Sequence, residues 1–298
     1  MEFVKSCPLC TSPSFKDFLT GRDYFLSGET FQICKCTTCG FLFTNPRPDK
    51  TEIVKYYESA EYLSHHAARN GIFAALYRRV RKNNIRKKYR LVKKYSFGNN
   101  ILDLGCGTGE FIAYCSKMGL QSSGIEPNEK ARSFGIHSLK QDIHPESYLE
   151  EIPVDRFDII TLWHVLEHVH ELNERISRLK EILKPGGILV IAVPNCDSWD
   201  AKKYKEYWAA YDLPRHLFHF SKETLKILVE KNRFNLIGII PMKFDAYYIS
   251  LLSEKYKSGK QNILTATFNG IRSNIFAKKN HNNYSSIIFI AENQKLSK

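Results

Sequence analysis

Four cysteines fall into two C-x-x-C pairs, Cys7 with Cys10 and Cys36 with Cys39, separated by 25 residues. Two residues between sulfurs let a tight turn aim both thiolates at one ion. Two such turns complete a tetrahedral site, for which zinc is the expected metal. Gly40, just after the second pair, frees the backbone to fold back towards the sulfurs. Four thiolates leave no coordination position open, so the site is expected to be structural, and stripping the metal should unfold the segment locally. Cys34 is the spare and reads as a buried thiol on the strand leading into the second pair.

A second pattern begins at Ile101-Leu102-Asp103-Leu104, an apolar strand interrupted only by Asp103. Gly105-Cys106-Gly107-Thr108-Gly109-Glu110 follows, then a helical run with Phe111, Ile112, Tyr114 and Cys115. A further strand, residues 121–125, ends in Glu126, 21 residues after Gly105. Strand, glycine loop, helix, strand and acid in that order form a nucleotide-binding crossover. A dinucleotide fingerprint would place glycine at position 110, which is Glu110. There is no phosphate-loop lysine, and a carboxylate at the helix start would compete with phosphate for the positive helix end.

The run at 101–111 resembles motif I of the class I S-adenosylmethionine-dependent methyltransferases, and the likeness extends over about residues 96–240. It implies that Asp103 and the backbone of Gly105, Gly107 and Gly109 hold the methionine part of the cofactor. It further implies that Glu126 takes the two ribose hydroxyls and that Asp142 receives the adenine amine, with Ile143 beside the ring. Residues 157–164 read as the fourth strand entering the active-site loop. Leu183-Lys184-Pro185-Gly186-Gly187 reads as a helix end and turn before a buried strand at 188–193. The implied fold is α/β, a doubly wound, Rossmann-like sheet of seven strands preceded by a small zinc-ribbon module.

Methyl transfer from a sulfonium requires an aligned acceptor and, for a hydroxyl acceptor, a base. His164, at the end of the fourth strand, is one candidate base. His164-Val165-Leu166-Glu167-His168 also matches the H-x-x-E-H zinc pattern, which on a helix would put both imidazoles on one face. This edge of a methyltransferase-like sheet often carries a leucine–glutamate–histidine run, so no second metal is expected there. The other candidates lie in Asp212-Leu213-Pro214-Arg215-His216, before a helix capped by Ser221. The resemblance extends to zinc-ribbon-bearing bacterial methyltransferases and implies that His216 faces the acceptor as base and Arg215 as anion clamp.

These parts need a chain that can build a large core, and 298 residues suffice. With 43% hydrophobic and 25% charged residues, the composition is globular and excludes a collagen-like or wholly disordered chain. Ten of the thirteen net positive charges come from residues 78–94, a stretch without an acid whose apolar residues recur at helical spacing. The expected layout is a zinc-ribbon-like module at 1–48, a basic helical connector at 49–95, the cofactor-binding core at 96–240 and a lid with a final strand at 241–298. No leader-like apolar run follows Met1 and no apolar stretch reaches membrane length, so a cytoplasmic location is expected. The expected activity is methylation of an oxygen or carbon on a small molecule, with anionic acceptors among the candidates. Its rivals are an RNA methyltransferase using residues 78–94 and a cofactor-binding regulator without turnover.

Overall fold

The computed structural model describes residues 1–57, 72–96 and 98–294, and leaves undescribed the side chains of 72–78 and 80. In the cysteine-rich segment, strands β1 (Phe15–Arg22), β2 (Thr30–Cys36) and β3 (Leu42–Thr44) pair antiparallel. A fourth strand joins that sheet from far along the chain: β9 (Phe218–His219) pairs with β3. Cys7, Leu9, Phe41 and Phe43 pack in one continuous core with Leu162, Leu217 and Phe220. The ribbon is therefore fused to the larger body through a shared sheet and a shared core.

The larger body is a seven-stranded sheet in the order β6 (Asp142–His144), β5 (Gln121–Ile125), β4 (Asn100–Leu104), β7 (Phe157–Trp163), β8 (Leu183–Pro194), β11 (Ser286–Asn293), β10 (Phe234–Pro241). The pairs β6–β5, β5–β4, β4–β7 and β7–β8 are parallel, whereas β11 runs antiparallel to both its neighbours. Residues 101–104 and 188–194 are buried without alternation, as strands covered on both faces must be. Helices α1 (Ile72–Tyr95), α2 (Glu110–Lys117), α3 (Glu129–Leu139), α4 (Leu172–Ile182), α5 (Trp199–Tyr204) and α6 (Lys222–Lys231) connect and flank the strands. Ser221 caps α6 in a capping box with Thr224.

Three expectations change. The Lys184–Gly187 turn becomes a bulge inside β8: Phe157 pairs with Leu183 and Ile159 with Ile188, so residues 184–187 stand out of the ladder with Gly186 at φ 76°, while the Asn293 amide holds the Leu183 carbonyl at 2.7 Å. The lid expected at 241–298 is two packed helices, α7 (Asp245–Ser258) and α8 (Ile263–Lys279), ahead of the last strand. The basic connector is only partly a solvated surface. Ile85, Tyr89, Val92 and Tyr95 of α1 pack on the core, and Lys88 turns inward to lie 4.5 Å from the Trp163 ring.

Strand order reverses between β4 and β7: the chain leaves β4 outward to β5 and β6, then returns to the other side. Ligands of doubly wound sheets bind at the carboxyl ends of the strands at such a point. The glycine loop and His164 both emerge there. No helix among the described residues is long and apolar enough to cross a membrane.

Candidate active site

The loop after β4 turns through left-handed backbone at Gly105, Gly107 and Gly109, with φ of 67°, 57° and 79°. Two of these glycines pack against protein. A Cβ on Gly105 would stand 2.5 Å from Val165 Cγ2, and one on Gly109 2.7 Å from Ile143 Cδ1. Gly107 differs, since among the described residues nothing lies within 4 Å of its Cβ direction. The loop is thus closed behind and open in front, where a ligand can approach the backbone. Its backbone N–H at Gly107 donates to Glu126 Oε2 at 2.8 Å, and the Asn128 N–H donates to Oε1 at 2.8 Å. Burial raises the Glu126 carboxyl above its ordinary pKa, against the pull of these two donors.

Asp103 sits in the floor of the crevice and accepts from the Thr161 hydroxyl at 2.5 Å. Burial pushes its carboxyl up to about 7, partly offset by the Lys88 ammonium and by Thr161. Burial in turn lowers Lys88, against the attraction of Asp103 and Asp245. Sequence reading missed Lys88 as a site residue. The available signal was its place one turn from Ile85 and from Val92, on the apolar face of an otherwise solvated helix.

Asp142 and Ile143 take different places. Ile143 touches the glycine loop at Gly109. Asp142 begins its strand on the exposed side and spends its oxygens on the Ser123 hydroxyl at 2.7 Å and on His144 Nε2 at 2.8 Å. The residue level with Glu126 is His144, whose carbonyl accepts from the Glu126 N–H at 3.0 Å and whose ring stacks on Tyr148.

The H-x-x-E-H run is not an α-helix. His164 lies in the left-handed region at φ 59°, and only Leu166–His168 form a 3-10 turn. The two imidazoles consequently diverge. His164 stands between two carboxylates, with Nδ1 3.4 Å from Glu167 Oε1 and Nε2 3.3 Å from Asp245 Oδ2. Burial opposes its charge, but Asp245 and Glu167 outweigh burial and lift His164 to about 10. Asp245, the first residue of α7, belongs to no motif and was invisible in the sequence. His168 turns the other way, its ring edge-on to His216 at 4.6 Å.

Arg215 does not face the crevice. Its side chain is 2% exposed, and its donors reach Asp23 Oδ1 at 3.0 Å, Asp212 Oδ1 at 2.7 Å and the Tyr56 carbonyl at 3.1 Å. Every guanidinium nitrogen is engaged. The residue is a strut between the ribbon, which supplies Asp23, and the core. His216 is brought to the crevice edge beside it, with Nδ1 on the Ala210 carbonyl at 2.9 Å.

The four paired cysteines converge. Their sulfurs all lie within 4.8 Å of one another, and Cys7–Cys39 and Cys10–Cys36 stand 3.6 Å apart. A tetrahedron with zinc–sulfur bonds of about 2.3 Å needs sulfurs about 3.8 Å apart, so the thiols present fit the ion. Cys34 lies apart with its thiol towards Asp17 and the Asn45 carbonyl, and burial pushes it up to about 11.

Comparison with known proteins agrees with this architecture. A family model described as a methyltransferase domain matches residues 62–238. The ubiquinone biosynthesis O-methyltransferase of Rhodopseudomonas palustris strain TIE-1 is 31% identical over 188 residues, covering 60% of this chain and 74% of the relative. That of strain HaA2 is 32% identical over 189 residues, covering 60% and 74%. Among solved structures, a SAM-dependent methyltransferase from Archaeoglobus fulgidus superposes with a TM-score of 0.52 at 20% identity, covering 78% of this chain and 100% of that one. Phosphoethanolamine N-methyltransferase 2 of Haemonchus contortus, solved with S-adenosyl-L-methionine, gives 0.54 at 16% identity, covering 95% and 69%. The chain belongs to this methyltransferase family and is an S-adenosylmethionine-dependent methyltransferase.

Proposed function

We propose that the enzyme transfers methyl to a hydroxyl oxygen of a small molecule held between the end of β7 and helix α7. The observation that carries this reading is the position of His164. The next residue, Val165, packs directly behind Gly105, so the imidazole stands beside the cofactor loop at the switch point of the sheet. S-adenosylmethionine supplies an electrophilic methyl group already activated by its sulfonium charge. The chain's own task is to align the acceptor, exclude water and take the hydroxyl proton.

In this reading Asp103 and the open backbone at Gly107 hold the methionine end, with Gly105 and Gly109 fixing the loop. Glu126 takes the ribose hydroxyls, and Ile143 lies against the adenine. Asp142, exposed at the start of its strand, keeps acceptor capacity beside its contacts to Ser123 and His144 and receives the adenine amine. His164 is the proton acceptor, oriented at Nδ1 by buried Glu167. Asp245 faces Nε2, and a ring held between two carboxylates keeps its own proton. The acceptor hydroxyl displaces the Asp245 carboxylate, which leaves with the Nε2 proton so that the neutral ring can take the proton of the hydroxyl, and α7 is the wall that yields to substrate. An oxygen acceptor also accords with the names of the Rhodopseudomonas relatives. Arg215 lends nothing to an anionic acceptor. The four cysteines hold a structural zinc that fixes the ribbon.

The test is transfer of labelled methyl from S-adenosylmethionine into a cell extract separated into small-molecule and RNA fractions. Label is expected as a methyl ether in the small-molecule fraction, and label confined to RNA would overturn the assignment. His164→Ala should slow turnover on the identified acceptor by about 100-fold or more. A turnover near wild type would remove His164 as the base.

A further inference from the structure

Glu167 is only 1% exposed, yet among the described residues neither of its carboxylate oxygens accepts an aligned hydrogen bond. Buried carboxylates are paired, bonded or on a metal, because an uncompensated charge out of water is costly. The neighbours of Glu167 explain what is missing. His216 Nδ1 lies 2.9 Å from the Ala210 carbonyl, and His168 Nδ1 lies 3.0 Å from the Arg215 carbonyl. A carbonyl only accepts, so His216 Nδ1 carries the proton and its Nε2 keeps a free lone pair; His168 Nδ1 meets both the Arg215 carbonyl and, at 2.9 Å, the Tyr57 hydroxyl, and with its proton on Nδ1 its Nε2 is free in the same way. His216 Nε2 stands 3.9 Å from Glu167 Oε1. One ligating atom from each of Glu167, His168 and His216 lies within 4.8 Å of the other two. Acceptors thus converge on one point with no donor among them.

We infer that Glu167, His168 and His216 form a second metal site, distinct from the four cysteines, for one divalent cation of the zinc and cobalt type. Two imidazoles and one carboxylate suit borderline cations and leave coordination positions open, unlike the closed thiolate site. The carbonyls on both Nδ1 atoms are the outer contacts that orient metal-bound histidines. His164 Nδ1, 3.4 Å from Glu167 Oε1, supplies a further contact to the carboxylate. The local backbone explains why the H-x-x-E-H spacing misleads. With His164 in the left-handed region, the first histidine turns to Asp245, and a histidine 48 residues after His168 replaces it.

The role of this metal, unlike its binding, rests on the hydroxyl-methylating reading above. An acceptor oxygen at an open position would lose its proton more readily. The proton passes to His164, the oxygen–methyl bond forms as the sulfur–methyl bond breaks, and the metal remains divalent.

The experiment is cobalt(II) titration of the full chain after chelator treatment and desalting. Thiolate ligands give intense sulfur-to-cobalt charge-transfer absorption, and nitrogen–oxygen ligands give only weak visible bands. Wild type should bind two equivalents, one of each kind. His216→Ala and Glu167→Gln should bind one, with the thiolate bands intact. Cys36→Ser should lose those bands and keep the weak ones. A wild-type stoichiometry of one equivalent overturns the proposal, whatever the variants do. So does a second equivalent that survives in both His216→Ala and Glu167→Gln, since that ion would be bound elsewhere. Calorimetric titration with S-adenosylmethionine on the same samples keeps the readings apart: its failure refutes the cofactor assignment without changing the metal count.

Discussion

Replacing Arg215 by Met removes a buried cation and leaves Asp23, itself fully buried, without its ionic partner. Breaking a buried pair in this way costs about 3–5 kcal/mol, most of it from the carboxylate left behind. Asp23 keeps the N–H groups of Phe25, Leu26 and Ser27 and the Ser27 hydroxyl, all within 3.1 Å. These donors soften the loss, which places the expected cost near the lower end, about 3 kcal/mol. In a chain of this size about 1 kcal/mol moves the melting temperature by roughly 2 °C, so calorimetry should find Arg215→Met melting about 6 °C lower. Adding Asp23→Asn should restore part of that, because the uncompensated charge is gone, with a coupling energy of about 2 kcal/mol. The pH dependence has a definite sign. Burial would raise the Asp23 carboxyl, but the Arg215 and Ser27 donors outweigh it and hold it below the ordinary range. Its stabilising contribution is complete above the unfolded value of about 4 and is lost as pH falls through the lower folded value. The gap between wild type and Arg215→Met should therefore be constant from about pH 5 to 7 and shrink in stronger acid. Equal melting of the two proteins, with a raised KM for the acceptor in the variant, would refute the strut and restore the anion clamp.

The glycine loop allows a contrast between stability and binding. Gly105→Ala drives a Cβ to 2.5 Å from the stiff Val165 side chain and should lower the melting temperature. Gly107→Ala meets no protein atom within 4 Å, so apart from about 1 kcal/mol of left-handed strain it should spare the fold and weaken S-adenosylmethionine in calorimetry. Asp103, raised to about 7, should attract the cationic cofactor only when ionised. The Kd should rise as pH falls below about 7, by up to about tenfold per unit, and Asp103→Asn should bind weakly with a flat profile. Zinc removal by a chelator, or Cys36→Ser, should destabilise the ribbon, read as earlier proteolysis within residues 1–48 and as loss of the thiolate-bound metal.

How much was legible in the sequence depended on whether a contact was local. The glycine loop, Glu126 and the paired cysteines carry their chemistry in spacing over a few residues, and all fall where the spacing implies. The second strand of the crossover and the Ser221 cap are legible for the same reason. The sites of Lys88, Asp245 and Asp23 are not, because each meets its partner through tertiary packing that neither motif spacing nor periodicity encodes. Arg215 and Asp142 illustrate the converse. Each stands near its motif position and already has polar partners: Asp23, Asp212 and the Tyr56 carbonyl take every donor of the arginine, whereas the aspartate meets Ser123 and His144 and keeps acceptor capacity. The H-x-x-E-H run failed through one backbone angle. Its spacing presumes a helix, and a single residue with positive φ sends the first imidazole elsewhere.

The placement of His216 connects the two halves of the molecule. Its own carbonyl accepts from the Thr44 hydroxyl at 2.9 Å, and the next residue exchanges backbone hydrogen bonds with both sides: the Leu217 N–H donates to the Glu167 carbonyl at 2.8 Å, and the Leu217 carbonyl accepts from the Thr44 N–H at 3.0 Å. The Thr44 hydroxyl also lies 3.1 Å from His219 Nε2. Thr44 ends β3, which pairs with β2, and β2 ends at Cys36 of the thiol cluster. A continuous hydrogen-bonded path therefore runs from the thiol cluster to the segment that carries His216, just before β9, and from Leu217 directly to Glu167. The cluster of Glu167, His168 and His216 has little freedom to re-form if that segment shifts, since Thr44 and the antiparallel pairing of β9 with β3 hold one side of it and the Leu217 bond to Glu167 the other. The ribbon is then better understood as the outer wall of the reaction site than as an appended module, which gives a physical reason for strand β9 to belong to its sheet.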